Sequence, residues 1–309
     1  MKFLAAGGNP LGHVLDVPLI GGDKPALGLM EGQTILGSPI LTMHMVTLVF
    51  VTLLLIVVMN KAAKAITTGA ESQGNERYIT KGRLSQFIEV ITLYMRDTVF
   101  KPLLGEQTNK YLPFLLTLFF FVLANNLFGL IPLLDIHALG GRLFGQDHFA
   151  FLGGTATANL AVTGVLALFA FFVIQAHGIR ELGVGGWLHH LLGGAPWWLF
   201  PIMVPVELMG MFIKPGALAV RLFANMLAGH TLMAVIAGFG AMALGAAGDN
   251  WAMAGGVSVV SIAFSVAITF LELFVAFLQA FIFMFLTTIF IGQLSHHDDH
   301  GHEGEHAHA

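Results

Sequence analysis

The chain has 309 residues, of which 56% are hydrophobic and only 10% charged, with a mean hydropathy of +0.80. That leaves too little polar surface to wet a soluble globule of this size, so the composition is that of an integral membrane protein. A formal net charge of −4 gives no footing for a nucleic-acid partner, and the absence of cysteine excludes disulfides, iron–sulfur ligation and thiol catalysis.

The N-terminal stretch MKFLAAGGNP carries one lysine and a short apolar run before its glycines, too little for the core of a cleavable leader. The membrane segments themselves are therefore expected to direct insertion. Residues 41–59, LTMHMVTLVFVTLLLIVVM, form the first predicted crossing, with His44 near one end. Residues 83–104, RLSQFIEVITLYMRDTVFKPLL, place charged and apolar residues at helical spacing, which predicts an amphipathic helix lying on the membrane surface. Residues 112–134 and 157–177 are the second and third crossings. From about 196 to 245, and again from about 252 to 294, apolar character persists for 40 to 50 residues.

A helix of about 40 residues is about 60 Å long, twice the hydrocarbon thickness of about 30 Å. If continuous, these last two helices must lean by about 60°, beyond the usual range. Gly245 to Asn250 supplies the turn between them, so a slanted antiparallel hairpin is expected; a break at Lys214-Pro215 that makes a re-entrant piece is the alternative. The expected fold is all-α, with five crossings and one interfacial helix.

Lys61, Lys64, Arg77, Lys81, Arg83, Arg96, Lys101 and Lys110 all fall between crossings one and two, which places that segment on the cytoplasmic side. The segment 1–40 and the loop 135–156 then face the opposite side, and the C-terminus is cytoplasmic. The tail from Ser295, SHHDDHGHEGEHAHA, is low in complexity and rich in histidine and acid. Weak Zn²⁺ or Ni²⁺ binding is one reading of it, and a solvated tail without fixed structure is the favoured one. No internal repeat is visible.

Ionisable residues inside a membrane are costly, which makes them functional candidates. Glu207, Lys214 and Arg221 are spaced by seven and so share one helix face, with Asn225 a turn further on and His230 on about the opposite side. Glu272 and Gln279 repeat that spacing in the last segment, with Ser265 seven residues earlier. Arg221 could serve as a structural clamp to Glu207 or Glu272, but apolar residues would hold such a contact as well or better. His230 and Glu272 are side-chain types that exchange protons near neutral pH, which favours a proton relay over a merely satisfied pair. Asn225 is divided between function and an interhelical hydrogen bond, and Gln279 alone would read as packing. His44 and Glu89 are expected near interfaces, and Asn125 and Asn126 in helix packing. The stretch GGTATANLAVTG lacks the spacing of a phosphate loop, and neither GxSxG nor HExxH occurs, so no catalytic site is expected.

KPGALAVRLFANMLAGHTLM (214–233) and FLELFVAFLQAFIFMFLTTIF (270–290), with NNLFGLIP (125–132) and TANLAVTGVLAL (157–168), resemble the a subunit of F-type ATP synthase, over roughly residues 36 to 292. The resemblance implies a non-catalytic stator subunit of a bacterial inner membrane, without cofactor. Its implied partners are the ring of c subunits, the b-subunit peripheral stalk, the rest of the complex and the lipid bilayer, with protons as the transported ion. By the same resemblance Arg221 is the arginine facing the ring, Asn225 lies near the ion route, and Glu207 and Lys214 are polar positions along the same helix. His230 and Glu272 match an acid–histidine pair, and Gln279 the glutamine facing the arginine. Thr157 stands where the family often has aspartate, so the access to one half-channel is expected to be lined differently. An ion-coupled secondary transporter is the rival reading, though it would usually show inverted repeats and broken helices at matched positions. A membrane scaffold is the third, disfavoured by the aligned polar stripes.

Overall fold

The computed structural model describes residues 18–20, 34–35, 38–39, 41–66, 80, 82–131, 155–191, 200–245 and 251–295. Two minimal antiparallel pairs come first: β1 (Pro18–Ile20) with β4 (Leu41–Thr42), and β2 (Thr34–Ile35) with β3 (Ser38–Pro39). Everything else described is helical. α1 spans Met43–Ile66, α2 Arg83–Tyr94, α3 Thr108–Gly129, α4 Leu160–Leu191, α5 Phe200–Gly245 and α6 Trp251–Ser295. Five helical stretches are long and apolar enough to cross a membrane: Met43–Ile66, Arg83–Gly129, Leu160–Arg180, Pro201–Gly245 and Trp251–Gln293. An all-α membrane protein is therefore what the chain forms, since a helix pairs its backbone groups internally where no water is available to do so.

The second of those stretches is not one straight rod. α2 runs on through a π-helical segment, Met95–Phe100, and a last turn, Lys101–Leu104. At Gly105 the backbone takes φ 53° and ψ −125°, which glycine alone adopts readily, and α3 starts afresh three residues later. α2 leaves Leu84, Phe87, Val90 and Tyr94 exposed along one side, in keeping with the amphipathic pattern. Arg96 and Lys101 both pair with Asp97, at 3.0 and 2.7 Å.

The third crossing extends beyond its predicted end. α4 continues to Leu191, with a non-helical Gly183 (φ 68°, ψ 169°) that divides it into two pieces. The break expected as an alternative at Lys214-Pro215 does not occur. α5 is continuous over 46 residues with Pro205 and Pro215 inside it, and α6 over 45. Each is thus about 70 Å long, more than twice the apolar thickness it has to traverse. The turn residues 246–250, most of the segment 1–40, the loop 132–154 and the tail 296–309 lie outside the described residues.

The chain divides into two compact units. One comprises Met1–Thr52, Val122–Thr163 and Val220–Gln279. In it the parts of α5 and α6 run antiparallel, as successive contacts record. Gly240 accepts a hydrogen bond from Ser258 at its carbonyl (3.1 Å), Met233 Sδ meets Thr269 Oγ1 (3.5 Å), and Gly229 lies against Glu272. Small residues permit this close approach: a Cβ on Gly240 would come within 3.1 Å of Ser261 Cβ. Asn126 on α3 ties α6 down by donating to the Ala276 carbonyl (3.3 Å), while its own carbonyl accepts from Thr157 (2.8 Å). Asn126 and Thr157 are both fully buried, so the pairing satisfies groups that would otherwise be costly. Packing is therefore the role of Asn126, as its sequence context suggested.

The other unit comprises Leu53–Phe121, Gly164–Ala219 and Ala280–Ala309. Aromatic contacts dominate it: Phe114 with Phe169, Phe171 with Phe212, and Tyr111 edge-on to His177, to which its hydroxyl is hydrogen-bonded. Gly292 lets α6 approach the Leu103 carbonyl, which a Cβ would meet at 2.7 Å.

Candidate ion-translocation site

Within the first unit, His230 on α5 and Glu272 on α6 come together at 3.5 Å between Nδ1 and Oε1, with side chains only 17% and 4% exposed. That separation suits an ion pair but is too long for a good hydrogen bond, and neither carboxyl oxygen of Glu272 has a hydrogen-bond partner among the described residues. The antiparallel register creates the meeting. Glu272 faces Gly229, the residue before His230, because only glycine leaves it room: a Cβ there would lie 2.6 Å from Glu272 Oε1. Gly229→Ala should therefore push the carboxylate off the imidazole, lengthening the 3.5 Å separation in a structure of the variant. Gly238→Ala, where a Cβ meets nothing within 4 Å, should leave that separation unchanged.

Thr155 joins this pair, and it was not singled out for it by sequence. Thr155, just before a short 3-10 turn at Ala156–Ala158, places Oγ1 2.5 Å from His230 Nε2. His44, expected at an interface, is only 2% exposed. The predicted Glu272–Gln279 face is the buried one: Gln279 is 4% exposed, and neither its Nε2 nor Ser265 Oγ on the same face has a hydrogen-bond partner among the described residues. Asn225 is half-buried and its Nδ2 also lacks a partner. Such orphaned groups are rare in packed interiors.

Arg221 behaves differently. It is exposed, and among the described residues it makes no ion pair or hydrogen bond; the clamp to Glu207 or Glu272 does not form. Its helix neighbours on the open side, Ala217, Val220, Ala224 and Ala228, are exposed too, so the guanidinium stands on a surface of mostly small side chains.

Glu207 and Lys214 belong to the other unit. There they line a cavity of about 80 Å³, several times the space a water needs, together with Gln175, Trp187, Thr287 and Gln293. Trp187 donates to Gln175 (3.1 Å), and Lys214 Nζ sits 5.3 Å from the Phe290 ring centre. No group of three or more His, Asp or Glu suited to a metal ion occurs among the described residues.

The fold and site define a polytopic helical membrane protein with a buried acid–imidazole pair and a separate arginine without a counter-charge among the described residues. Residues 40–292 match the profile of the ATP synthase A chain family, and the chain belongs to that family. It is 43% identical over 232 residues to ATP synthase subunit a of Myxococcus xanthus, covering 74% of this chain and 67% of that one. It is 45% identical over 225 residues to the subunit a of Anaeromyxobacter dehalogenans, covering 71% and 51%, and 41% identical over 230 residues to that of Chloroherpeton thalassium, covering 73% and 59%. The chain thus spans between about half and two thirds of the length of these relatives.

Proposed function

We propose that this chain is the stator half of the ion channel in a bacterial F-type ATP synthase, itself without catalysis, working against a rotating ring of acidic subunits. The observation that carries this reading is Arg221, a cation exposed on a long apolar helix with no partner of its own among the described residues. A lone charge in oil is costly, and a counter-charge from another subunit relieves the cost. A carboxyl group on a ring helix, kept neutral by lipid, meets the guanidinium as the ring turns. At about 4 Å and an effective dielectric near 20 the attraction is about 4 kcal/mol, roughly a thousandfold in proton affinity, enough to release the proton.

The pair His230–Glu272, with Asn225 and Gln279, belongs on this reading to one aqueous half-channel. The cavity holding Glu207 and Lys214 belongs to the other. Because a guanidinium does not give up its proton in proteins, Arg221 blocks direct passage between the two. Each proton must ride the ring, and each charge crossing a 100 mV potential delivers about 2.3 kcal/mol to rotation. The basic cluster between α1 and α3 supports a cytoplasmic location for that connection and for the tail 293–309. It puts residues 1–40 outside, with the membrane domain at 41–292. The b-subunit stalk and the remaining subunits complete the assembly.

The absence of cysteine makes a direct test simple. A benzophenone attached to Ala224→Cys, beside the arginine on the exposed face, should photolink to the ring subunit in the whole complex. The same probe on Thr163→Cys, fully buried, should not. Adducts only with lipid, or none, would count against the ring-facing assignment.

A further inference from the structure

The loop before α4 carries a group that has so far been only a neighbour of the acid–imidazole pair. Thr155 is 2% exposed, and its carbonyl accepts from Ala158 N at 2.9 Å, which anchors its backbone to the turn. Its side chain is seated against the α3 terminus: a Cβ on Gly129 would lie 2.1 Å from Thr155 Oγ1. Held this way, Oγ1 touches His230 Nε2 at 2.5 Å while Nδ1 of the same ring faces Glu272 at 3.5 Å. A neutral imidazole has one donor and one acceptor nitrogen, and a hydroxyl can do either task. Thr155 therefore fixes which edge of the ring Glu272 sees, whichever tautomer is present.

The geometry points to Thr155 as the positioning hydroxyl of a three-member proton relay, Thr155–His230–Glu272, an assignment that rests on the channel reading above. The relay balances as follows. A hydronium ion hands a proton to Thr155 Oγ1 and is left as water as the hydroxyl passes its own to Nε2, while Nδ1 gives its proton to a carboxylate oxygen of Glu272. The hydroxyl keeps one proton throughout. The ring is left as the other tautomer and returns to the first by the reverse shift or by rotation of the side chain. The titratable group facing His230 among the described residues is Glu272, at 3.5 Å, so the relay is read against it.

Thr155→Val preserves shape and removes the hydroxyl, Thr155→Ala removes it with less bulk against Gly129, and Thr155→Ser keeps it. In vesicles carrying the whole complex, ATP-driven pumping, and passive proton conduction after removal of the catalytic head, are measured from mildly acidic to mildly alkaline pH. Rates are normalised to assembled complex. The valine and alanine variants should lose roughly tenfold in conduction with a displaced pH profile, the size expected for one lost polar contact at an acid–base group. The serine variant should stay within about twofold with the parent profile. Parent-like conduction and profile in either hydroxyl-free variant overturns the assignment, as does a serine variant as impaired as valine. Arg221→Ala in the same vesicles separates the two levels. If it loses coupled pumping while the hydroxyl-free variants do not, the Thr155 assignment alone falls. If it pumps normally, the channel reading falls as well.

Discussion

Arg221→Ala should reduce ATP-driven proton pumping by the assembled complex by two orders of magnitude or more, and should convert the membrane sector into a passive leak. The size follows from the interaction lost: about 4 kcal/mol between a guanidinium and a ring carboxylate corresponds to about a thousandfold in the proton affinity that gates release. On the proposed channel reading the leak follows because the guanidinium removed is an ionised group that protons cannot use as a stepping stone. Because Arg221 is exposed and unpartnered within the chain among the described residues, its loss removes no internal contact, and assembly should persist. Arg221→Lys should not fully rescue: the ammonium is compact, strongly hydrated and able to lose its proton when desolvated, so it supplies charge without the fork or the permanence. Acidification of inverted vesicles on ATP addition, followed with a pH-sensitive dye, measures pumping, and dissipation of an imposed gradient measures the leak. Normal acidification in the alanine variant would remove Arg221 from the coupling step.

Composition and heptad spacing made the membrane class and the two polar stripes legible from sequence alone. Length arithmetic required the last two helices to be long and inclined or broken, and the continuity of α5 through Pro205 and Pro215, with that of α6, favours the former. A proline inside a helix leaves backbone groups unpaired, and which way a given sequence resolves that cost depends on neighbours that a one-dimensional pattern does not contain. The same limit hid Thr155. It is 75 residues from His230 in the chain, on a loop whose own pattern suggests only a turn, and its relevance arises from the α3 terminus that seats it. Helical spacing rightly put Arg221 and His230 on different sides of α5. It could not decide whether Glu207 or Glu272 would reach back to the arginine. The burial of Glu272 against Gly229 settles that for one of them, since the carboxylate is already committed to the α5–α6 seam.

Exchanging the two members of that seam tests whether they act as a pair. His230→Glu alone puts two carboxyls about 3.5 Å apart in a buried site, where mutual repulsion of about 5 kcal/mol at an effective dielectric of 20 prevents both from carrying charge. Glu272→His alone leaves two imidazoles facing each other with no acid to receive a proton. Each single change should slow pumping by about a hundredfold, the lower range for loss of a positioned acid–base group. The double exchange restores one acid and one imidazole across the same gap, and Thr155 can donate to a carboxylate at position 230 as well as to a ring nitrogen. It should recover at least about tenfold over the poorer single variant, although an imidazole at 272 crowds Gly229 and recovery should stay incomplete. Such rescue is a coupling free energy between neighbours, absent for residues acting independently. A double variant whose loss is the simple product of the single losses would mean that His230 and Glu272 handle the proton separately, and that their proximity across the seam is only packing.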